Sequence, residues 1–188
     1  MKQVWIVLGV IVGVVVIVGG MYASYFNKFV TLNESINASW AQVENQYQRR
    51  LDLIPNLINT VKGYAKHENE IFTRVAEARA KLIGAKTTND KVKATGELDS
   101  AVSRLLMIAE NYPQLKANEN FIRLQDSLEG TENRISVERQ RYNEVVRIYN
   151  ILVQRFPSNI VASMGGFQKK DAYFKAEEVA KTVPKVSF

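Results

Sequence analysis

Four charged side chains, Arg50, Glu68, Glu132 and Arg139, fall at or beside the apolar seams of what reads as a set of helices. A charge in such a place must pair or reach water. Both signs are present, so interhelical pairs such as Arg50 with Glu132 are available. Such pairs can set which helices meet and in what order. The same groups facing a pocket would offer acid–base or ligand-binding chemistry. The expectation is a structural polar network built from these four residues.

The sharper catalytic patterns are missing. A ferritin-like metal bundle needs Glu-x-x-His on two helices. The chain has one histidine, His67, and the residue three before it is Tyr64. With Lys66 and Glu68 on either side, His67 reads as a helix-surface residue. There is no cysteine, which removes disulfides, thiolate metal sites and a lipidated cysteine. A Ser–His triad needs a base placed beside its nucleophile, and nothing around Ser39, Ser100 or Ser103 recommends one. Gly84 is not followed by the Gly-Lys-Thr of a phosphate loop. The expectation is a protein that is not an enzyme and holds no cofactor or metal.

The net charge is +6 over 188 residues. Basic residues alternate with Asp and Glu, without a long Lys/Arg block. That favours a solvated mixed face, one that can lean on anionic lipid, over a nucleic-acid surface.

These residues need positioning, and the chain reads as all-α. Residues 3–27 carry no charge. From Val4 to Phe26 about 23 residues rise ~34 Å as a helix, enough to cross a hydrocarbon core of ~30 Å. Trp5 stands near one end and Tyr22 and Tyr25 near the other, the places aromatics favour at membrane boundaries. Lys2 and Lys28 bracket the run and can reach headgroups. The run is rich in Val and Ile, but a lone strand in lipid leaves its backbone unpaired, so helix is expected. A cleaved signal peptide is the alternative. The run is long for one, and Gly19-Gly20-Met21-Tyr22-Ala23-Ser24 is no clean small-x-small exit, so a retained anchor is expected. Gly9-Val-Ile-Val-Gly13 matches Gly-x-x-x-Gly, which lets membrane helices approach closely. Basic residues nearly balance across the run, with a slight lean to the N-terminus inside and the domain outside.

Beyond the anchor, apolar residues recur at gaps of three and four. The first run is Phe29, Leu32, Ile36, Trp40, Val43, Tyr47 and Ile54. A second runs from Leu57 to Leu82, a third from Leu98 to Tyr112, and a fourth from Phe121 to Phe156. Pro55 is the ambiguous point. The seam continues across it, which suits one kinked helix. Segments 28–54 and 57–83, each about 27 residues or ~40 Å, match if the chain folds back there. Burial favours folding back. The expected architecture is a single N-terminal transmembrane helix over 1–27, an antiparallel up-down-up-down four-helix bundle over 28–157, and a short irregular C-terminal tail over 158–188. Phe156, Ile160, Val161, Met164, Phe167, Tyr173 and Phe174 fall among lysines near and in that tail. The composition suits a membrane surface and equally a flap packed on the bundle.

Three stretches carry a resemblance: Arg49-Arg50-Leu-Asp-Leu-Ile-Pro-Asn-Leu-Ile-Asn-Thr-Val-Lys-Gly-Tyr-Ala-Lys-His-Glu68, Ser103-Arg-Leu-Leu-Met-Ile-Ala-Glu-Asn-Tyr-Pro-Gln-Leu-Lys-Ala-Asn-Glu-Asn-Phe121, and Leu128-Glu-Gly-Thr-Glu-Asn-Arg-Ile135. Together with Phe156-Pro-Ser-Asn-Ile160 and Pro184-Lys-Val-Ser-Phe188, the chain resembles the LemA family of bacterial membrane proteins over nearly its whole length. The resemblance implies a bacterial source, one N-terminal membrane helix, a four-helix bundle and no established catalytic residue. A relative of that family takes part in building magnetosome membranes, which hints at membrane organisation. The expected function is a non-catalytic scaffold in the bacterial inner membrane. Its partners would be the lipid bilayer and further copies of itself as a homo-oligomer. The alternative is a monomeric adaptor presenting its helices to a membrane protease or signalling partner.

Overall fold

A computed structural model describes residues 2–175, so the closing Pro184-to-Phe188 segment lies outside the described residues. Six helices account for most of them: α1 (Lys2–Lys62), α2 (Asn69–Gly84), α3 (Thr88–Ala109), α4 (Pro113–Lys116), α5 (Glu119–Gln154) and α6 (Ser158–Gly165). No strand occurs among the described residues.

The first departure from expectation is at Pro55. The chain does not fold back there; α1 runs through it without a break. An internal proline costs ~3 kcal/mol, because its N–H is missing and its ring crowds the carbonyl four residues earlier. Here the ring lies on the exposed face, and the apolar seam keeps its phase through Leu51, Ile54, Leu57 and Val61, all buried. Burying each is worth about 1.5–3 kcal/mol, so the continuous face outweighs the lost hydrogen bond. The turn falls later, where Tyr64 and Ala65 both donate to the Val61 carbonyl, at 3.0 and 2.9 Å. The apolar run and the first seam are thus parts of one helix, and the expected hairpin at Pro55 does not form. The expected irregular tail is corrected over residues 158–165, which are helical, while 167–175 have no regular structure.

Helix starts follow local chemistry. Thr87 caps α3 by accepting from the Asp90 N–H at 3.1 Å, while its hydroxyl donates to the Asp90 carboxylate at 2.6 Å. Pro113 opens α4, where its missing N–H costs nothing. Asn118 opens α5 by accepting from the Phe121 N–H at 3.1 Å.

The residues form two compact units that do not follow chain order, and α1 and α5 contribute to both. The larger takes Ala41–Asn143 and the chain from Asp171. Its core includes Ile54, Leu57, Val61, Val75, Leu98, Leu105, Leu115 and Ile135, all fully buried. On α5 the buried side chains Phe121, Leu128, Ile135 and Tyr142 recur every seventh residue, the spacing that keeps one helix face inward. The smaller unit takes the chain up to Trp40 and Glu144–Lys170. Here Phe29 is fully buried, edge-on to Tyr149 at 6.0 Å and stacked on Phe167 at 4.7 Å. Phe156, which the seam spacing placed inside, is 75% exposed.

Candidate functional site

The polar residues of the larger unit converge on Asp99, an α3 side chain that shares a helix face with buried Thr95 and Val102. Arg50 from α1 donates to Asp99 Oδ1 at 2.9 Å and also pairs with Glu132 from α5. Arg139 from α5 pairs with Asp99 Oδ2 and donates to the Tyr47 hydroxyl. Tyr47 in turn donates to Asp99 Oδ2 at 3.2 Å. The Arg139 guanidinium lies over the rings of Tyr47 and Phe174, at 5.4 and 5.1 Å. Two arginines, one aspartate and one glutamate cancel in charge.

Burial decides what this cluster can do. The Arg50 side chain is 6% exposed and Asp99 13%. Taking such ions out of water costs several kcal/mol each, recovered only by close pairing and charge-assisted hydrogen bonds. An arginine does not give up its proton in a protein, so the two guanidinium groups serve as fixed donors rather than acid–base groups. Arg50 Nε is buried with no hydrogen-bond partner among the described residues. The chemistry available is electrostatic: the ion pairs link side chains of α1, α3 and α5.

Of the four charged residues singled out by spacing, the structure brings Arg50, Glu132 and Arg139 together. Glu68 stands elsewhere, at the start of α2, where it accepts from the Tyr112 hydroxyl at 3.2 Å. Burial first, then the Glu68 charge and hydrogen bond, push the Tyr112 phenol above its ordinary pKa. Asp99 and Tyr47 complete the cluster. Tyr47 was legible only as a seam aromatic. Asp99 was missed, and its signal was the spacing Thr95, Asp99, Val102, one stripe of a helix.

A cleft opens beside Asp99 and Arg139, bordered by Lys93, Tyr173 and Phe174. Asn143 fixes the backbone of Phe174: its side chain donates to the Phe174 carbonyl at 2.8 Å and accepts from the Phe174 N–H at 3.0 Å. Tyr142 meets Phe174 edge-on at 5.7 Å. Burial, with a smaller contribution from Tyr173, pushes the Tyr142 phenol up to about 12. His67 is exposed. Among the described residues no group of three or more His, Asp or Glu side chains is placed to hold a metal.

The expected membrane residues all lie on α1. Trp5 is 73% exposed, Lys28 is exposed, and Tyr22 and Tyr25 are half-buried. A Cβ added to Gly9 or Gly13 would meet nothing within 4 Å, so this face is open to a close neighbour. The apolar part of α1 is long and apolar enough to cross a membrane, and none of it is buried.

Comparison with known proteins gives a consistent family. The sequence model of the LemA family matches residues 39–188. The chain is 26% identical over 183 residues to magnetosome protein MamQ 1 of Paramagnetospirillum magneticum, covering 84% of this chain and 67% of that protein. Magnetosome protein MamQ of Magnetospirillum gryphiswaldense is 25% identical with the same coverage. Protein LemA of Metamycoplasma hominis is 27% identical over 152 residues, covering 78% of this chain and 67% of that one. None of these names denotes a catalytic activity.

Proposed function

The chain belongs to the LemA family, and from that premise we propose that it is a non-catalytic, membrane-anchored scaffold that self-associates and organises the bilayer. One observation carries the reading. The charge-free run from Val4 to Val18 is exposed at every position, with its large apolar side chains at least half bare. In water that surface would cost ~25 cal/mol per Å². In a bilayer it costs nothing, and the helix satisfies its own backbone. Gly9 and Gly13 mark the face on which two such helices approach. Arg50, Glu132 and Arg139, with Asp99, act as the structural polar network that keeps the larger unit in register. The relatives named magnetosome proteins support the membrane-organising half of the reading. The location is the bacterial inner membrane, with the C-terminal domain on its outer side.

The test is the mass of the full chain in native lipid nanodiscs. An oligomer that falls to monomer in the double variant Gly9→Leu, Gly13→Leu is the expected result. A wild-type monomer at membrane-like density would overturn self-association in favour of a tethered adaptor for a membrane-protein partner. Extraction of the chain from membranes by alkaline carbonate would overturn the anchor itself.

A further inference from the structure

The smaller unit carries an apolar surface that the anchor does not explain. Phe156, Ile160 and Met164 are 75, 51 and 71% exposed, and no charged residue occurs from Phe156 to Gln168. This corner lies alongside the apolar part of α1. Val14, Val18 and Tyr22 form one wall of an apolar groove, and Ile160, Val161 and Met164 form the other.

We propose that the α5–α6 corner is a second lipid-contacting element, seated in the leaflet that α1 crosses near its C-terminal side. Acyl chains fill the groove and cover Phe156, Ile160 and Met164. The inference rests on the anchor reading and extends it from one helix to a composite of α1 and α6.

Continuity with the span identifies the occupant. Val14 lies ~15 Å along the helix from Val4, midway through a hydrocarbon core of ~30 Å. Whatever bathes Val14 and Val18 bathes the groove they line, and α6 shares that groove.

The backbone of the corner is fitted to the same medium. Lipid offers no water to orphan carbonyls, so irregular backbone there must satisfy itself. Buried Ser158 donates to the Leu152 and Arg155 carbonyls, at 2.6 and 2.8 Å. The Asn159 N–H donates to the Arg155 carbonyl at 2.8 Å, and Pro157 has no N–H to satisfy. At the other end the Gly166 and Phe167 N–H groups both donate to the Ala162 carbonyl.

The flanks complete the pattern. Arg155 precedes the charge-free segment, Lys169 and Lys170 follow it, and all three are exposed. Long basic side chains at such positions reach anionic headgroups. Asn150 fixes the return of the chain, donating to the Lys170 carbonyl at 2.7 Å and accepting from the Lys170 N–H at 2.8 Å.

The chain has no cysteine, so single labels can be placed without background. Ile160→Cys, Met164→Cys, Val18→Cys and Met107→Cys would each carry an environment-sensitive fluorophore on the full chain in anionic vesicles. The quenchers would be lipids with a doxyl group midway along the acyl chain and, separately, aqueous iodide. The proposal expects labels at 160 and 164 to lose fluorescence to the doxyl lipid as the label at 18 does, and to be shielded from iodide relative to that at 107. Loss at 18 but iodide access at 160 and 164 would overturn this inference and leave the anchor standing. No doxyl quenching at 18 would overturn the anchor and this inference with it. Shielding from iodide without doxyl quenching at 160 and 164 would mean that a protein surface covers the corner, which also overturns it.

Discussion

Arg50 on α1 and Asp99 on α3, separated by 49 residues in the chain, meet at 2.9 Å with both side chains almost wholly buried. The contact joins two helices through an ion pair that water barely reaches. Asp99 also receives Arg139, so one carboxylate answers two guanidinium groups. Asp99→Asn should therefore cost more than a surface pair. Leaving the buried Arg50 under-compensated costs about 3–5 kcal/mol. Urea denaturation of the full chain in detergent measures it, and a loss under about 1 kcal/mol would place the cluster with solvated pairs.

Pro55 lies within α1, on the exposed face. Pro55→Ala restores the N–H that can donate to the Leu51 carbonyl and removes the ring crowding it. The gain of ~3 kcal/mol is offset in part by a more flexible unfolded chain, leaving about 2 kcal/mol of stabilisation. A higher urea midpoint with unchanged helix content is expected. A lower midpoint would show that the proline shapes the helix in a way the core requires.

The phenol of Tyr142 is raised from 10.0 to about 12 by burial. A raised folded-state value means that the fold holds the proton more tightly than the unfolded chain does. The stabilisation is complete below pH 10, and is lost as pH rises towards 12. Tyr142→Phe should flatten that part of the stability profile. Denaturation midpoints across this range test it, with tyrosinate absorbance reporting ionisation. An equally steep loss in the variant would assign the alkaline transition to other groups.

Gly166 closes α6 at φ +72, a left-handed conformation. A Cβ there would meet nothing within 4 Å, so Gly166→Ala should cost backbone strain alone, about 1–2 kcal/mol. Gly165→Ala acts differently, because its Cβ would come within 2.7 Å of the Phe167 ring and push it off Phe29. Thermal unfolding should show a loss for both. Only the second should also perturb the near-ultraviolet aromatic signal.

Much of the helical pattern was legible because it is local. Seam residues Phe29, Ile36, Val43, Tyr47, Ile54 and Leu57 announced one face by spacing, and all are buried. The turn was misread because length matching was set against phase, and phase prevailed at Pro55. In the cluster, Arg50, Glu132 and Arg139 stood out as charges on apolar seams. Asp99 did not, since one residue beside Leu98 looks like any solvated position. Phe156 kept the seam spacing yet is bare, because the helix ends at Gln154, before it could turn that ring inward.

Composition and period alone determined that the chain is helical and that its first stretch suits lipid. Both depend on interactions within a few residues: a backbone that bonds to itself and side chains that repeat every three or four. Only the tertiary structure decided that Asp99 joins Arg50, that Glu68 answers Tyr112, and that α6 lines the same groove as Val14 and Val18. Those pairings link residues tens of positions apart. Their energies depend on which helices exclude water together, and no local spacing encodes that.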